Sequence, residues 1–302
     1  MWYNILMLDL SKCRICPNEC GTNRQRNLGY CNSSDKIVIA RACLHEYEEP
    51  CVSGTNGSGT IFFSGCNMRC LYCQNYEISR KQTGKVFTVK ELADLFKKLE
   101  DKKAHNINLV SPSHYAPQIM EALDVYRPDI PIIYNTNGYE KASTISALKD
   151  YIDVYLTDLK YADKNTARIL SDCPNYPDYA FIAIAEMIKN KGKPVFFPNG
   201  LMKSGVIIRH LVIPSYIRNS LSVVRAIADN FKEHVLVSIM SQYTPLPNLK
   251  LPREINRPLT PLEYKTVISA AQKANITAAY IQELSSCGNA YIPNFKEGFN
   301  FI

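Results

Sequence analysis

No apolar run in this 302-residue sequence approaches the roughly 20 residues that a helix needs to cross a bilayer, so no helical membrane span is expected. The opening stretch, MWYNILMLDL, lacks a basic region followed by a small-residue cleavage site, and the chain is therefore expected to be cytoplasmic. Low-complexity tracts are absent too, and 46% apolar with 21% charged residues is the balance of a globular protein, not of a fibre or a disordered chain. Acidic residues are the scarcer charge, 28 against 35 basic, for a formal +7. The densest basic runs, KKLEDKK at 97–103 and KNKGK at 189–193, stand where helices are expected to end, and cations suit that end of the dipole. Neither nucleic acid nor a membrane is thus expected as a partner. Cysteine is almost missing after residue 73, where only Cys173 and Cys287 follow, whereas nine of the 11 crowd into 13–73. In a reducing compartment such crowding argues for metal.

Residues 1–57 carry Cys13, Cys16, Cys20, Cys31, Cys43 and Cys51 with little periodic pattern, and read as a small metal-binding lead-in. Residues 58–302 read as the main unit. There, short β-branched or aromatic runs alternate with segments of helical period, the signature of βα units around a mostly parallel sheet. Candidate strands are 60–63, 107–110, 131–134, 154–157, 206–213, 235–239 and 277–281, seven in all, with room for one of them to stand outside the sheet. Thr88 with Glu91 forms a capping box, and Thr260, Pro261 and Glu263 open a second long helix. Residues 242–259 hold Pro245, Pro247, Pro252 and Pro258 and are expected to be loop. The fold class is therefore α/β, an incomplete parallel barrel near (β/α)6.

The chemistry concentrates in GCNMRCLYC, residues 65–73, directly after the apolar run TIFF. Cys66, Cys70 and Cys73 leave a strand's carboxyl end on one tight loop. Three thiolates at these spacings can cap three corners of a cuboidal cluster, and a 4Fe-4S cluster that wants four leaves one iron open for another ligand. A zinc knuckle with its fourth ligand elsewhere and unligated core cysteines are the alternatives.

With an aromatic residue before its last cysteine, the set Cys66, Cys70, Tyr72, Cys73 resembles the radical SAM motif CxxxCxΦC. The resemblance implies a radical SAM barrel and a 4Fe-4S cluster whose open iron chelates S-adenosylmethionine. One-electron reduction would then release methionine and a 5'-deoxyadenosyl radical, with Tyr72 near the adenine. Further stretches are similar to the pyruvate formate-lyase activating enzyme group, in its uncharacterised activating-enzyme-like branch: CPNECGTNR, EEP, GSGTIFFSGCN, CQNYEIS, NLVSPSHYAPQI, NTNGY, DVYLTDLKYAD, IIRHLVIP and SIMSQYTP.

Other candidate positions follow the ends of the expected strands, where barrel enzymes build their sites. Ser111 begins SPSH at the place where many superfamily members carry a GGE-type motif that receives the amino group of S-adenosylmethionine, and this chain departs from that motif. Asn135 and Asn137 lie in NTNG, which also reads as a polar turn. Asp158 and Lys160 in TDLK resemble the DLK of activating enzymes, which serves the methionine side. A surface ion pair is the plainer reading of both. Adjacent strand residues face opposite ways, so only one of Arg209 and His210 can point inward, and resemblance favours Arg209. His114 reads equally as a ligand-facing group or a loop histidine, and His45 reads as a loop histidine before it reads as a metal ligand.

The set Cys13, Cys16, Cys20 and Cys31 has four thiols, enough for a zinc site or an auxiliary 4Fe-4S cluster, and spacing does not choose between them. Three functions stay in contention: radical formation on a protein glycyl or peptide substrate, radical modification of a small metabolite, and a non-catalytic Fe-S electron-transfer module. The implied electron donor is a one-electron reductant such as flavodoxin or ferredoxin.

Overall fold

The computed structural model describes residues 8–286 together with Phe295 and Gly298, and Cys287 lies outside the described residues. The strands are β1 (Ile37–His45), β2 (Ser58–Phe63), β3 (Lys85–Phe87), β4 (Ile107–Val110), β5 (Ile132–Thr136), β6 (Val154–Asp158), β7 (Val195–Phe196), β8 (Met202–Leu211), β9 (Leu236–Met240) and β10 (Ala279–Ile281). The helices are α1 (Pro50–Ser53), α2 (Tyr76–Lys81), α3 (Val89–Asp101), α4 (Ala116–Val125), α5 (Ala142–Ala147), α6 (Lys164–Ser171), α7 (Tyr176–Lys191), α8 (Ile217–Asn230) and α9 (Pro261–Lys273).

Strands β2, β4, β5, β6, β8, β9 and β10 pair parallel in that spatial order. Each βα unit therefore adds beside the last in one direction, the winding of a (β/α) barrel and not of a doubly wound sheet. The sheet does not close, because β10 and β3 are its two edges. All seven expected strands are present within a few residues of their expected bounds, and all seven lie in the one sheet.

The local chemistry behind these elements is direct. β2 and β4 are buried along their whole length, and the apolar SGTIFF and INLV runs suit strands covered on both faces. The α3 cap uses Thr88 and Glu91 reciprocally, and Leu92, Leu95, Phe96 and Leu99 form its buried stripe. Thr260 and Glu263 cap α9 in the same way, with Pro261 in the first turn. The run 242–259 carries no helix or strand, and the buried Tyr243 hydroxyl ties it back by donating to Ile255 O at 2.6 Å.

The lead-in is more closely joined to the sheet than its lack of period suggests. β1 falls inside it, pairs antiparallel with β2 and carries β3 on its other side, so the sheet runs on across residues 57 and 58. Upstream of β1, Arg24 is fully buried and donates to the carbonyls of Ser33 at 3.2 Å, Ser34 at 2.5 Å and His114 at 2.5 Å. One guanidinium thus clamps the lead-in to the loop after β4.

Candidate active site at the carboxyl ends of the parallel strands

Strand polarity sends the ends of β2, β4, β5, β6, β8 and β9 to one rim, and a cavity opens there. Its walls include Cys66, Cys70, Tyr72 and Cys73 after β2, Ser111 after β4, Asn135 and Asn137 at β5, Asp158 and Lys160 at β6, and Arg209 on β8. The structure thus brings all ten of the cluster-loop and cofactor positions together. Two glycines make the approach possible. Gly65 (φ +92°) turns the chain from β2 into the cysteine loop, and a Cβ there would meet Cys31 O at 2.7 Å. At Gly138 (φ +81°) a Cβ would meet Tyr176 Oη at 2.8 Å. Ser111 also sits at positive φ, +57°, a strained turn for a residue with a Cβ.

The three thiols each have a polar neighbour of their own. Cys66 Sγ accepts from the Met68 amide at 3.4 Å and from Asn137 Nδ2 at 3.5 Å, Ser171 Oγ donates to Cys70 Sγ at 3.0 Å, and Ser79 Oγ lies 3.5 Å from Cys73 Sγ. Burial pushes the Cys66 thiol up to about 12 and raises Cys73, so metal loading must displace their protons. Tyr72 belongs to the same network: its hydroxyl is 2.7 Å from that of Tyr161, which is 2.6 Å from Ser171 Oγ.

The same cavity carries a buried charge network. Lys160 Nζ is 2.6 Å from Asp158 Oδ2, and Arg209 Nε is 3.2 Å from Asp158 Oδ1. Arg209 also reaches Glu48 Oε2 at 3.1 Å through Nη1 and Asn135 Oδ1 at 2.5 Å through Nη2. Burial by itself would raise the Asp158 carboxyl, but the two cations outweigh it and hold the group below its usual value. Glu48 accepts from Asn108 Nδ2 at 2.9 Å and Asn135 Nδ2 at 3.3 Å, so the lead-in supplies a carboxylate to the heart of the site. Glu48 opens the EEP stretch, whose local sequence carries no sign of this role. Its partners lie 60 to 161 residues away, beyond any local pattern.

The histidines separate cleanly. His210 turns away from the cavity, with Nδ1 2.8 Å from Leu159 O and Nε2 2.9 Å from Ser220 Oγ, while Arg209 turns into it. His114 is buried with Nε2 2.8 Å from Ser64 O and is not part of the cavity wall. His45 does line the cavity, edge-on to Phe62 with ring centroids 6.0 Å apart. Cys13, Cys16 and Cys31 are buried and Cys20 is exposed. Among the described residues, no group of three or more His, Cys, Asp and Glu is placed to hold a metal ion, and that holds for these four. A tetrahedral zinc site needs its sulfurs about 2.3 Å from one ion, whereas thiolates on separate corners of a cluster stand further apart.

The Radical SAM superfamily model matches residues 60–214, from β2 through the ion-pair strands to the end of β8. The chain belongs to the radical SAM superfamily. Across 278 residues, 89% of this chain and 76% of the other, it is 30% identical to an uncharacterized protein of Methanocaldococcus jannaschii. It is 31% identical over 107 residues, 34% of this chain and 41% of the relative, to 7-carboxy-7-deazaguanine synthase of Methanothermobacter thermautotrophicus. Among solved structures it is similar in fold to a radical SAM methyltransferase from Sphaerobacter thermophilus, with a TM-score of 0.50 and 12% identity over 74% of this chain and 66% of that one. The chain therefore spans a little under two thirds of that structure's length.

Radical SAM enzymes use a 4Fe-4S cluster and S-adenosylmethionine, take electrons from a reductant, and cleave S-adenosylmethionine, and these are the cofactors and the chemistry of this chain. The donor set fits them. Three thiols free of disulfides on one loop border a cavity that is also lined by a lysine, an arginine and a carboxylate. No described helix is long and apolar enough to cross a membrane.

Proposed function

We propose that the protein directs its radical chemistry at a protein glycyl residue or a peptide, as an activating-enzyme-like member of the superfamily. The observation that carries the proposal is the convergence of the cluster loop with the TDLK, NTNG and Arg209 positions on one cavity. Those are the stretches that resemble activating enzymes.

In this reading Cys66, Cys70 and Cys73 hold the cluster. With S-adenosylmethionine bound, such a cluster would supply one-electron reductive cleavage of the sulfonium and so the means to abstract a hydrogen atom from the substrate. Lys160 offers its ammonium to the methionine carboxylate, and Asp158 and Arg209 fix that lysine's position. The Ser111 backbone would receive the amino group, and Tyr72, whose hydroxyl is held by that of Tyr161, would serve the adenine side. Asn137 and Ser171 direct hydrogen-bond donors at the Cys66 and Cys70 sulfurs. The electron donor is a flavodoxin or ferredoxin, and the setting is cytoplasmic and anaerobic. A second reading, a small-metabolite substrate, is favoured by the 107-residue likeness to a synthase named for a small-molecule product.

The amino-terminal cysteines Cys13, Cys16, Cys20 and Cys31 are proposed to bind a second metal, zinc or an auxiliary 4Fe-4S cluster. Arg24 supports this. It is fully buried, its oxygen partners are neutral carbonyls, and its Nη1 lies 4.0 Å from Cys13 Sγ. A buried cation needs an anionic neighbour, and metal-bound thiolates would supply it.

The test is anaerobic turnover with candidate polypeptides and metabolites. A polypeptide that accelerates 5'-deoxyadenosine release and acquires an electron paramagnetic resonance signal supports the proposal. Acceleration by metabolites alone refutes it.

A further inference from the structure

A second cavity adjoins the first, past the ends of β9 and β10. The two share Tyr47, Glu48, Arg209, Met240 and Gln242 as common wall, and the second adds Glu46, Glu49 and Gln282 among others. Its electrostatics are lopsided. Three glutamates and one arginine are among its lining residues, and that arginine is already engaged by Asp158 at 3.2 Å and Glu48 at 3.1 Å.

Glu49 is the decisive group. It is 8% exposed, and its Oε2 is buried without a hydrogen-bond partner. Leaving a carboxyl oxygen unpaired in the interior is costly, and this fold does so at the wall of a cavity contiguous with its reaction site. The floor beside it is fixed: Gln282 Oε1 accepts from the amides of Ser241 at 3.0 Å and Gln242 at 3.2 Å, and Gln282 Nε2 donates to Gln242 Oε1 at 3.0 Å. Burial raises the Glu49 carboxyl above its usual value against the pull of Arg209, and a bound cation would favour its ionised form. With the fixed amide floor and one unsatisfied buried oxygen, the cavity suits a ligand that brings both positive charge and hydrogen-bond donors.

We propose that this second cavity binds the substrate through a cationic nitrogen group, a guanidinium or a primary ammonium, with Glu49 as its counter-charge. The proposal rests on reading the first cavity as the S-adenosylmethionine site. The cation belongs either to an arginine or lysine side chain of a polypeptide or to a free alkyl amine, and the probes distinguish these.

The experiment is calorimetric titration of the anaerobically reconstituted protein, with and without S-adenosylmethionine, using n-butylguanidinium, the neutral isostere N-butylurea, and a capped Gly-Arg-Gly peptide. The guanidinium should bind saturably and at least about tenfold more tightly than the urea, and Glu49→Gln should erase that preference. Equal binding of the two isosteres, or an unchanged preference in Glu49→Gln, overturns the proposal. If circular dichroism shows that Glu49→Gln does not fold, the isostere comparison on the wild-type protein decides alone. Tighter binding of the capped peptide than of n-butylguanidinium supports a polypeptide source, and the reverse order supports a free amine with the cavity's role intact. Failure of S-adenosylmethionine to bind would sink the reading of the first cavity, while the titrations made without it would still judge the second.

Discussion

Arg209→Met is the perturbation that most directly probes the buried charge network. Methionine keeps an unbranched stem and removes the guanidinium, so apolar packing changes little. The lost group makes three polar contacts, to Asp158 at 3.2 Å, Glu48 at 3.1 Å and Asn135 at 2.5 Å. These side chains are well shielded, at 15% exposure for Arg209, 14% for Asp158 and 10% for Glu48. Asp158 retains Lys160, but Glu48 would be left with only the amides of Asn108 and Asn135. Removing one partner of a buried pair costs about 3–5 kcal/mol, and that is the destabilisation expected near neutral pH. The pH dependence supplies a second signature. With Arg209 present, the Asp158 carboxyl lies below its ordinary 3.8 and contributes stability that is present above that value and lost as pH falls through the folded one. Without Arg209, burial acts against one fewer cation and the folded value rises. Protonation then relieves the buried charge, so the deficit of the variant should narrow on acidification. Urea midpoints of both proteins at about pH 7.5, 6 and 4.5 measure this. A deficit below about 1 kcal/mol, or one that is constant with pH, would refute the reasoning.

Lys160→Ala should weaken S-adenosylmethionine binding by roughly 1–3 kcal/mol while leaving the iron content unchanged, as read by equilibrium dialysis and iron analysis. His210 is held down to about 4 by burial, with its ring serving Leu159 O and Ser220 Oγ, so the unfolded chain takes up its proton first as pH falls from about 6.5. Stability should drop by about 3 kcal/mol between pH 6.5 and 4 from this group, and His210→Gln should flatten that part of the profile in urea titrations. Elemental analysis of a Cys13→Ala, Cys16→Ala double variant should show loss of one metal site with the Cys66 loop still loaded. Unchanged metal content would end the proposal for the lead-in.

Legibility from the sequence followed the range of the interactions. The parallel strands were readable because strands buried on both faces leave short apolar runs such as INLV and VYLTD, and the two capping boxes because their partners are three residues apart. β1 was not expected, since its sequence IVIARACLH lies among cysteines and its partner is supplied by β2. β3 and β7, three and two residues long, were too short to leave a pattern. Alternation on β8 implied that only one of Arg209 and His210 points inward, and the resemblance to activating enzymes, not the alternation, pointed to Arg209. Nothing local announced Glu48, Glu49 or Arg24, whose environments are assembled by tertiary folding: a charge network for the first, an adjoining cavity for the second, a clamp on three carbonyls for the third.

The central claim is that Cys66, Cys70 and Cys73 support radical cleavage of S-adenosylmethionine in the cavity that they border. It is tested most directly by 5'-deoxyadenosine release from anaerobically reconstituted protein with a strong one-electron reductant, in wild type and in the triple alanine variant of those cysteines. The account predicts release from the wild type and none from the variant. A fully loaded wild-type cluster that releases no 5'-deoxyadenosine would contradict it and favour an electron-transfer role, and equal release from the variant would contradict the assignment of the cysteines.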